Sequence, residues 1–149
     1  MMDERTNASR KKPAPRPSPE SKHYWQAARE HRLELPRCNA CGNMWFPPSQ
    51  SCPHCLAADF TWTRVSGLGK VFSFVTYHRV YHPAFANDVP YVVALVELQE
   101  QHRLRFLSRV VNCEPGSVRV GMPVQAVFDD YSEDVAVPKF APLDATAKS

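Results

Sequence analysis

The chain has 149 residues, 44% hydrophobic and 22% charged, with 14 Pro, 5 Gly and 5 Cys, which suits one ordinary domain or two small modules and excludes a large multidomain enzyme. No run approaches the ~20 apolar residues of a membrane span, and the opening MMDERTNASRKKPAPRPSPE lacks the apolar core of a secretory signal, so a soluble, cytoplasmic protein with no membrane partner is expected. The formal net charge of +3 is uneven: residues 1–22 hold Arg5, Arg10, Lys11, Lys12, Arg16 and Lys22 against Asp3, Glu4 and Glu20, and the remainder is balanced, which argues against a phosphate-backbone binder.

Residues 1–17 mix Pro, Lys/Arg and small polar residues without apolar periodicity and read as a disordered tail. Residues 18–32 change character. Ser18 suits a cap, Pro19 suits a first helical turn, and Tyr24, Trp25 and Ala28 fall at helical spacing, predicting a short amphipathic helix over about Pro19–His31. Such a helix either packs on its own domain or docks elsewhere. Residues 33–66 are dense in Cys and Pro and end in the alternating run FTWTRV. Residues 67–142 carry KVFSFVTYHRVY, YVVALVEL, RLRFLSRVV, PVQAVFDDY and VAVPKF, separated by turn-forming stretches, which is the pattern of five short strands. Closure into a small barrel of the OB type removes the edges that an open five-stranded sheet exposes. Residues 143–149 read as a second disordered tail. The fold class expected is mainly β.

Cys38, Cys41, Cys52 and Cys55 form C-x2-C-x10-C-x2-C. Two tight turns with paired thiolates can surround a tetrahedral Zn2+, with sulfur at ~2.3 Å. Gly42 follows the first pair, where a residue tolerant of positive φ lets the backbone curl. Two disulfides are the alternative, disfavoured in a reducing compartment. Iron is another, since CPHC resembles a rubredoxin knuckle, although the gap is short for one. With all four positions filled by protein, a zinc ion here is structural, not catalytic; in zinc-finger peptides such binding contributes ~10–16 kcal/mol to folding. His54 between the ligands reads as solvent-facing. Cys113 stands alone as a small thiol without a designated base. Trp25, Trp45, Phe46 and Trp62 form either a docking patch or a mini-core under the metal.

Five segments together, YWQAAREHRLELPRCNACGNMWFPPSQSCPHC, VSGLGKVFSFVTYHRVYHPAF, PYVVALVELQ, GMPVQAVF and PKFAP, span residues 24–142. In this order they resemble the acyl-CoA-associated family with a rubredoxin-like zinc ribbon followed by an OB-fold, known as domain-of-unknown-function family thirty-five. Two positions depart from its pattern. Leu56 stands after the second knuckle where the family often has Gly, and Gln101 with His102 occupies a hairpin that usually carries a Gly. The resemblance implies an N-terminal ribbon, a C-terminal five-stranded OB-fold barrel, and an accessory role beside thiolase-fold or hydroxymethylglutaryl-CoA-synthase-like subunits of thiolase, acyltransferase or aldolase type. In such assemblies the large partner carries the catalytic groups, and the small subunit bridges enzymes or helps hold the CoA portion of a substrate. No catalytic residue is assigned in this chain, which has no phosphate loop and no justified nucleophile–base pair.

CoA or an acyl-CoA needs a stacking face, a slot and cationic donors. Tyr77, His78, Arg79, Tyr81, His82, Phe85 and Tyr91 concentrate the stacking and polar types, and Arg103, Arg105 and Arg109 supply cations. Even spacing places the three arginines on one face if all lie in a regular strand. The opposing reading is a solvated outer face beside ordinary barrel closure. The same residues fit a rival function, a zinc-ribbon and OB-fold module for single-stranded nucleic acid, which the balanced charge disfavours.

Overall fold

The computed structural model describes residues 14–143; the expected tails at 1–17 and 143–149 lie almost wholly outside the described residues. In chain order the elements are α1 (Lys22–Arg29), β1 (Glu34–Cys38), β2 (Phe60–Arg64), β3 (Leu68–Tyr77), β4 (Tyr91–Leu98), β5 (Arg105–Val110), β6 (Pro123–Asp130) and β7 (Ala136–Pro142). Single 3-10 turns at Pro83–Phe85 and Pro115–Ser117 punctuate the connections.

Regular α-helix is shorter than the Pro19–His31 span read from the sequence. Ser18 does cap, but it caps a separate turn: its Oγ accepts the Ser21 N–H at 3.3 Å, and the helix begins only at Lys22. The far end stops because His31 takes a left-handed backbone, φ 62°, the usual conformation of the residue that closes a helix. The His31 and Arg32 N–H groups then satisfy the Ala28 and Ala27 carbonyls, each at 2.9 Å. Tyr24, Ala27 and Ala28 are buried, so the helix packs on its own fold. Two histidines fasten it. His23 stacks on Trp62 with centroids 4.6 Å apart and bonds Glu34 at 2.7 Å, while His31 stacks on Phe128 and bonds Asp130 at 2.8 Å.

Strands β1 and β2 form an antiparallel pair running from Glu34↔Arg64 to Cys38↔Phe60. Strands β3-β4-β5-β7-β6 close into a barrel, with β5 and β7 parallel and the other neighbours antiparallel. Alternation along β4 sends Val92, Ala94, Val96 and Leu98 inward, where they meet Val71, Phe106, Val124 and Phe140. A bulge between Val71 and Ser73 bends β3, which pairs with both β4 and β6. Gly69 is required by space: a Cβ there would lie 2.5 Å from the Glu97 carbonyl oxygen and 2.8 Å from Val96 Cγ1. The same apolar core continues through Tyr24, Leu33, Leu35, Met44 and Val65, so helix, ribbon base and barrel share one interior. Among the described residues no helix is long and apolar enough to cross a membrane.

Candidate metal centre and ligand face

The two knuckles are built alike. In the first, Gly42 N–H donates to the Cys38 carbonyl at 2.9 Å and Cys38 N–H donates to Asn43 O at 2.8 Å; in the second, Leu56 N–H donates to Cys52 O at 2.8 Å and Cys52 N–H to Ala57 O at 2.9 Å. The residue closing each turn is left-handed, Gly42 at φ 78° and Leu56 at φ 67°. Glycine adopts that conformation freely, whereas a leucine there costs ~1–2 kcal/mol. The departure noted at Leu56 is thus a strained backbone, and its side chain is 77% exposed.

These turns bring the four sulfurs within 4.8 Å of one another. Cys38 and Cys55 sulfurs are 3.5 Å apart and Cys41 and Cys52 sulfurs 3.7 Å apart. A disulfide requires ~2.05 Å, while a tetrahedron with bonds of ~2.3 Å has edges of about 3.8 Å. The geometry therefore fits a metal ion and not paired bridges, and all five cysteines are free thiols. His54 is exposed and contributes its backbone N–H, not its ring, donating to Cys52 Sγ at 3.4 Å. Cys41 N–H donates to Cys38 Sγ at the same distance, and Asn43 Nδ2 donates to Cys52 Sγ at 3.7 Å.

These donors divide the thiols. Burial pushes Cys52 up, but the Cys55 and His54 N–H groups and the Asn43 amide outweigh it and bring the thiol down to about 6. The Cys41 N–H likewise lowers Cys38. Cys41 moves the other way, to about 12: the Asn43 N–H favours its thiolate, but burial and three neighbouring sulfurs prevail. Cys55 is also raised, because the Cys38 sulfur and burial outweigh the Ala57 N–H. Metal binding requires all four sulfurs as thiolates, so a divalent cation would displace the protons that Cys41 and Cys55 hold more tightly than an ordinary thiol.

One residue that the sequence flagged only for loop shape proves central to this site. Gln101, in the β4–β5 turn, reaches into the first knuckle: its Oε1 accepts the Met44 N–H at 2.9 Å, and its Nε2 donates to Met44 O at 2.9 Å and Asn43 Oδ1 at 3.1 Å. Asn43 in turn donates to Cys52 Sγ. A chain of hydrogen bonds therefore joins the barrel to a sulfur of the four-cysteine cluster. The only sequence signal was an amide where the family usually carries Gly; its destination, 57 residues away along the chain, was not readable. Of the four aromatics read as docking patch or mini-core, only Trp45 belongs to the buried cluster at the sulfurs; Trp25, Phe46 and Trp62 are partly buried against the main core that helix, ribbon base and barrel share. Cys113 is half-buried against the same core.

The ten residues read as a ligand set separate into three groups. Tyr77 and Tyr91 face each other across β3 and β4 and stack with centroids 5.2 Å apart. Around them gather Phe85, 6.2 Å from Tyr91, and the exposed Tyr81, edge-on to Tyr77 at 6.1 Å with the Arg79 guanidinium 5.6 Å from its ring. His78 lies exposed in the same loop. His82 caps the first 3-10 turn, its Nδ1 accepting the Ala84 N–H at 3.0 Å. Arg109 lies 4.4 Å over Tyr91 and donates to Asp88 at 3.0 Å. Arg105 belongs to a second place, flat on Phe72 at 3.6 Å. Arg103 corrects the three-arginine face. It sits in the turn before β5 with φ 69°, its N–H bonded to Glu97, so strand alternation never reaches it. Arg105 and Arg109 do share the outer face, with Phe106 and Val110 pointing inward.

Comparison with known proteins gives a consistent picture. The family model described as the ChsH2 rubredoxin-like zinc ribbon domain matches residues 25–61, and that of the ChsH2 C-terminal OB-fold domain matches residues 62–129. A probable enoyl-CoA hydratase alpha subunit of Thermomonospora curvata is 36% identical over 131 residues, covering 88% of this chain; the chain spans only 40% of that protein's length. A DUF35 domain-containing scaffold protein of Methanocaldococcus jannaschii is 38% identical, over 66% of this chain and 68% of that protein. The solved structure described as an Ltp2-ChsH2(DUF35) aldolase contains a chain 35% identical, with TM-score 0.77, covering 86% of this chain and 98% of that one.

Proposed function

We infer the function from one premise: the chain belongs to the DUF35 family, a rubredoxin-like zinc ribbon joined to a ChsH2-type OB-fold. It works as a non-catalytic subunit that seats a partner enzyme. The single observation that carries this reading is the likeness, over 98% of its length, to a chain of an aldolase whose description names two components. The chemistry of the chain agrees. The four sulfurs fit Zn2+ and leave no position for substrate or water, so the ion would brace the ribbon and supply no reaction step.

The partner in this reading is a thiolase-fold enzyme of thiolase, acyltransferase or aldolase type, and the aromatic end of the barrel helps hold its CoA-bearing substrate. Tyr81 offers an exposed ring and Arg79 a cation beside it, which suits an adenine and a phosphate. Tyr77, Tyr91 and Arg109 already occupy one another and act as the platform beneath. Reconstitution with a thiolase-fold subunit from the same organism tests the reading. Acyl transfer or retro-aldol cleavage should appear or rise when this chain is added, and Tyr81→Ala should raise KM for the CoA substrate while metal content stays constant. Turnover by this chain alone, or no effect of adding it, would overturn the assignment.

A further inference from the structure

Strand β4 reads YVVALVEL, apolar at nearly every position. A strand with one face in water normally alternates; a continuous apolar run marks one covered on both faces. Its inner face, Val92, Ala94, Val96 and Leu98, lies in the barrel core. Its outer positions are Tyr91, Val93, Leu95 and Glu97, and all are only half-buried. The register shows what stands beside them. Leu95 lies between Ser73 and Leu107, and Val93 between Val75 and Arg109. Phe72 at the β3 bulge, Val75 and Leu107 are 43%, 55% and 58% exposed. The outer side of β3–β4–β5 therefore carries an apolar patch of Phe72, Val75, Val93, Leu95 and Leu107, interrupted at Ser73 and bounded by Arg105, Arg109 and Glu97. The opposite wall differs: α1 packs on β7, whose Lys139 is buried and paired with Asp129 at 2.6 Å.

Two arginines frame this face. Arg105 lies on Phe72 at one end and Arg109 on Tyr91 at the other. The Nε of each is shielded from water and has no acceptor. Arg109 pairs with Asp88 through its Nη1, whereas Arg105 has no ion pair among the described residues. This charge pattern selects the occupant. A second copy docking about a two-fold axis at Leu107 would bring both copies' guanidinium groups together. The one carboxylate beside Arg105 on this face, its cross-strand neighbour Glu97, makes no ion pair with it and instead holds the Arg103 N–H and His102. Like charges facing each other across an interface are costly.

We propose that the outer face of β3–β4–β5, centred on Leu107, is the seat of the partner enzyme, and that the partner presents an apolar surface carrying a carboxylate opposite Arg105. This rests on the accessory-subunit reading and adds to it a place and a chemistry. Arg105 then serves protein recognition and not the coenzyme.

Photo-crosslinking separates the two claims. Benzoylphenylalanine replaces Leu107, Val75 or, as a control on the opposite wall, the exposed Glu133 in the β6–β7 turn, and each tagged full chain is co-expressed with the enzyme subunit that co-purifies with wild type. Adducts from positions 107 and 75, but not 133, mapping to an apolar segment with a neighbouring Asp or Glu, are the result expected. In the purified complex, Leu107→Asp and Arg105→Glu should each weaken binding about tenfold or more with metal content unchanged, and reversing the partner's carboxylate to Lys should restore the Arg105→Glu complex. A partner that co-purifies but is labelled only from position 133 would overturn the face and leave the accessory role standing. Adducts to a second copy of the chain, with doubled mass, would replace the enzyme partner by a homodimer. No co-purifying subunit at all would overturn both.

Discussion

Around the sulfurs, Cys38, Trp45 and Cys52 are the buried cluster, with Ala57 and Phe60 packed against them. The barrel and its junction bury Val71, Val92, Val96, Leu98, Phe106, Val124 and Phe140, together with Tyr24, Leu33 and Leu35. One region is held by ligands that can be withdrawn, the other by apolar area that cannot. The distal ribbon should therefore depend on metal, and the barrel should not. The join is what keeps them one molecule: Leu33, Leu35 and Met44 belong to the barrel's core, and Gln101 bonds the first knuckle.

The largest departure from the native state should follow removal of a sulfur or the metal. Cys52→Ser, or a strong chelator, should abolish amide-exchange protection from Cys38 to Phe60 while β3 to β7 keep theirs; equal loss in both regions would erase the distinction. Phe140→Ala inverts the experiment. The side chain is fully buried, so its removal should cost about 3–5 kcal/mol, lower the unfolding midpoint of the barrel and leave metal stoichiometry at one per chain below that transition.

Gln101→Ala addresses the join. It leaves the Met44 N–H unpaired, with an expected cost of about 1–3 kcal/mol. More tellingly, calorimetry should split one unfolding transition into two, and competition with a coloured chelator should show weaker metal retention, because Asn43 loses its support behind Cys52. Leu56→Gly is the smallest and has the opposite sign. Relief of the left-handed strain, partly offset by the greater freedom of glycine in the unfolded chain, should stabilise the ribbon by about 0.5–1 kcal/mol, read as slower amide exchange between Cys38 and Phe60 with the barrel strands unchanged.

Much of this protein is legible one segment at a time. The two C-x2-C pairs and Gly42 specify their knuckles through bonds spanning five residues or fewer, as Gly42 to Cys38 and Cys38 to Asn43 show. The apolar rhythm of five runs specifies strands, and closure follows from the cost of bare edges. Helix length was over-read because Ser18 and Pro19 carry helix-start chemistry but form an isolated turn, and because nothing before the fold is known marks His31 as a left-handed stop.

What the chain's order of residues determined was chemistry with short reach: sulfur spacing, turn residues and alternation, all decided by neighbours along the backbone. Tertiary structure alone decided that Gln101 meets the knuckle, that Arg103 leaves the face Arg105 and Arg109 share, and that Phe72, Val75 and Leu107 are exposed on one side of the barrel. Those outcomes depend on which distant groups closure brings within hydrogen-bonding or van der Waals range. Such energies fall away within a few ångströms of space, whatever the separation in sequence.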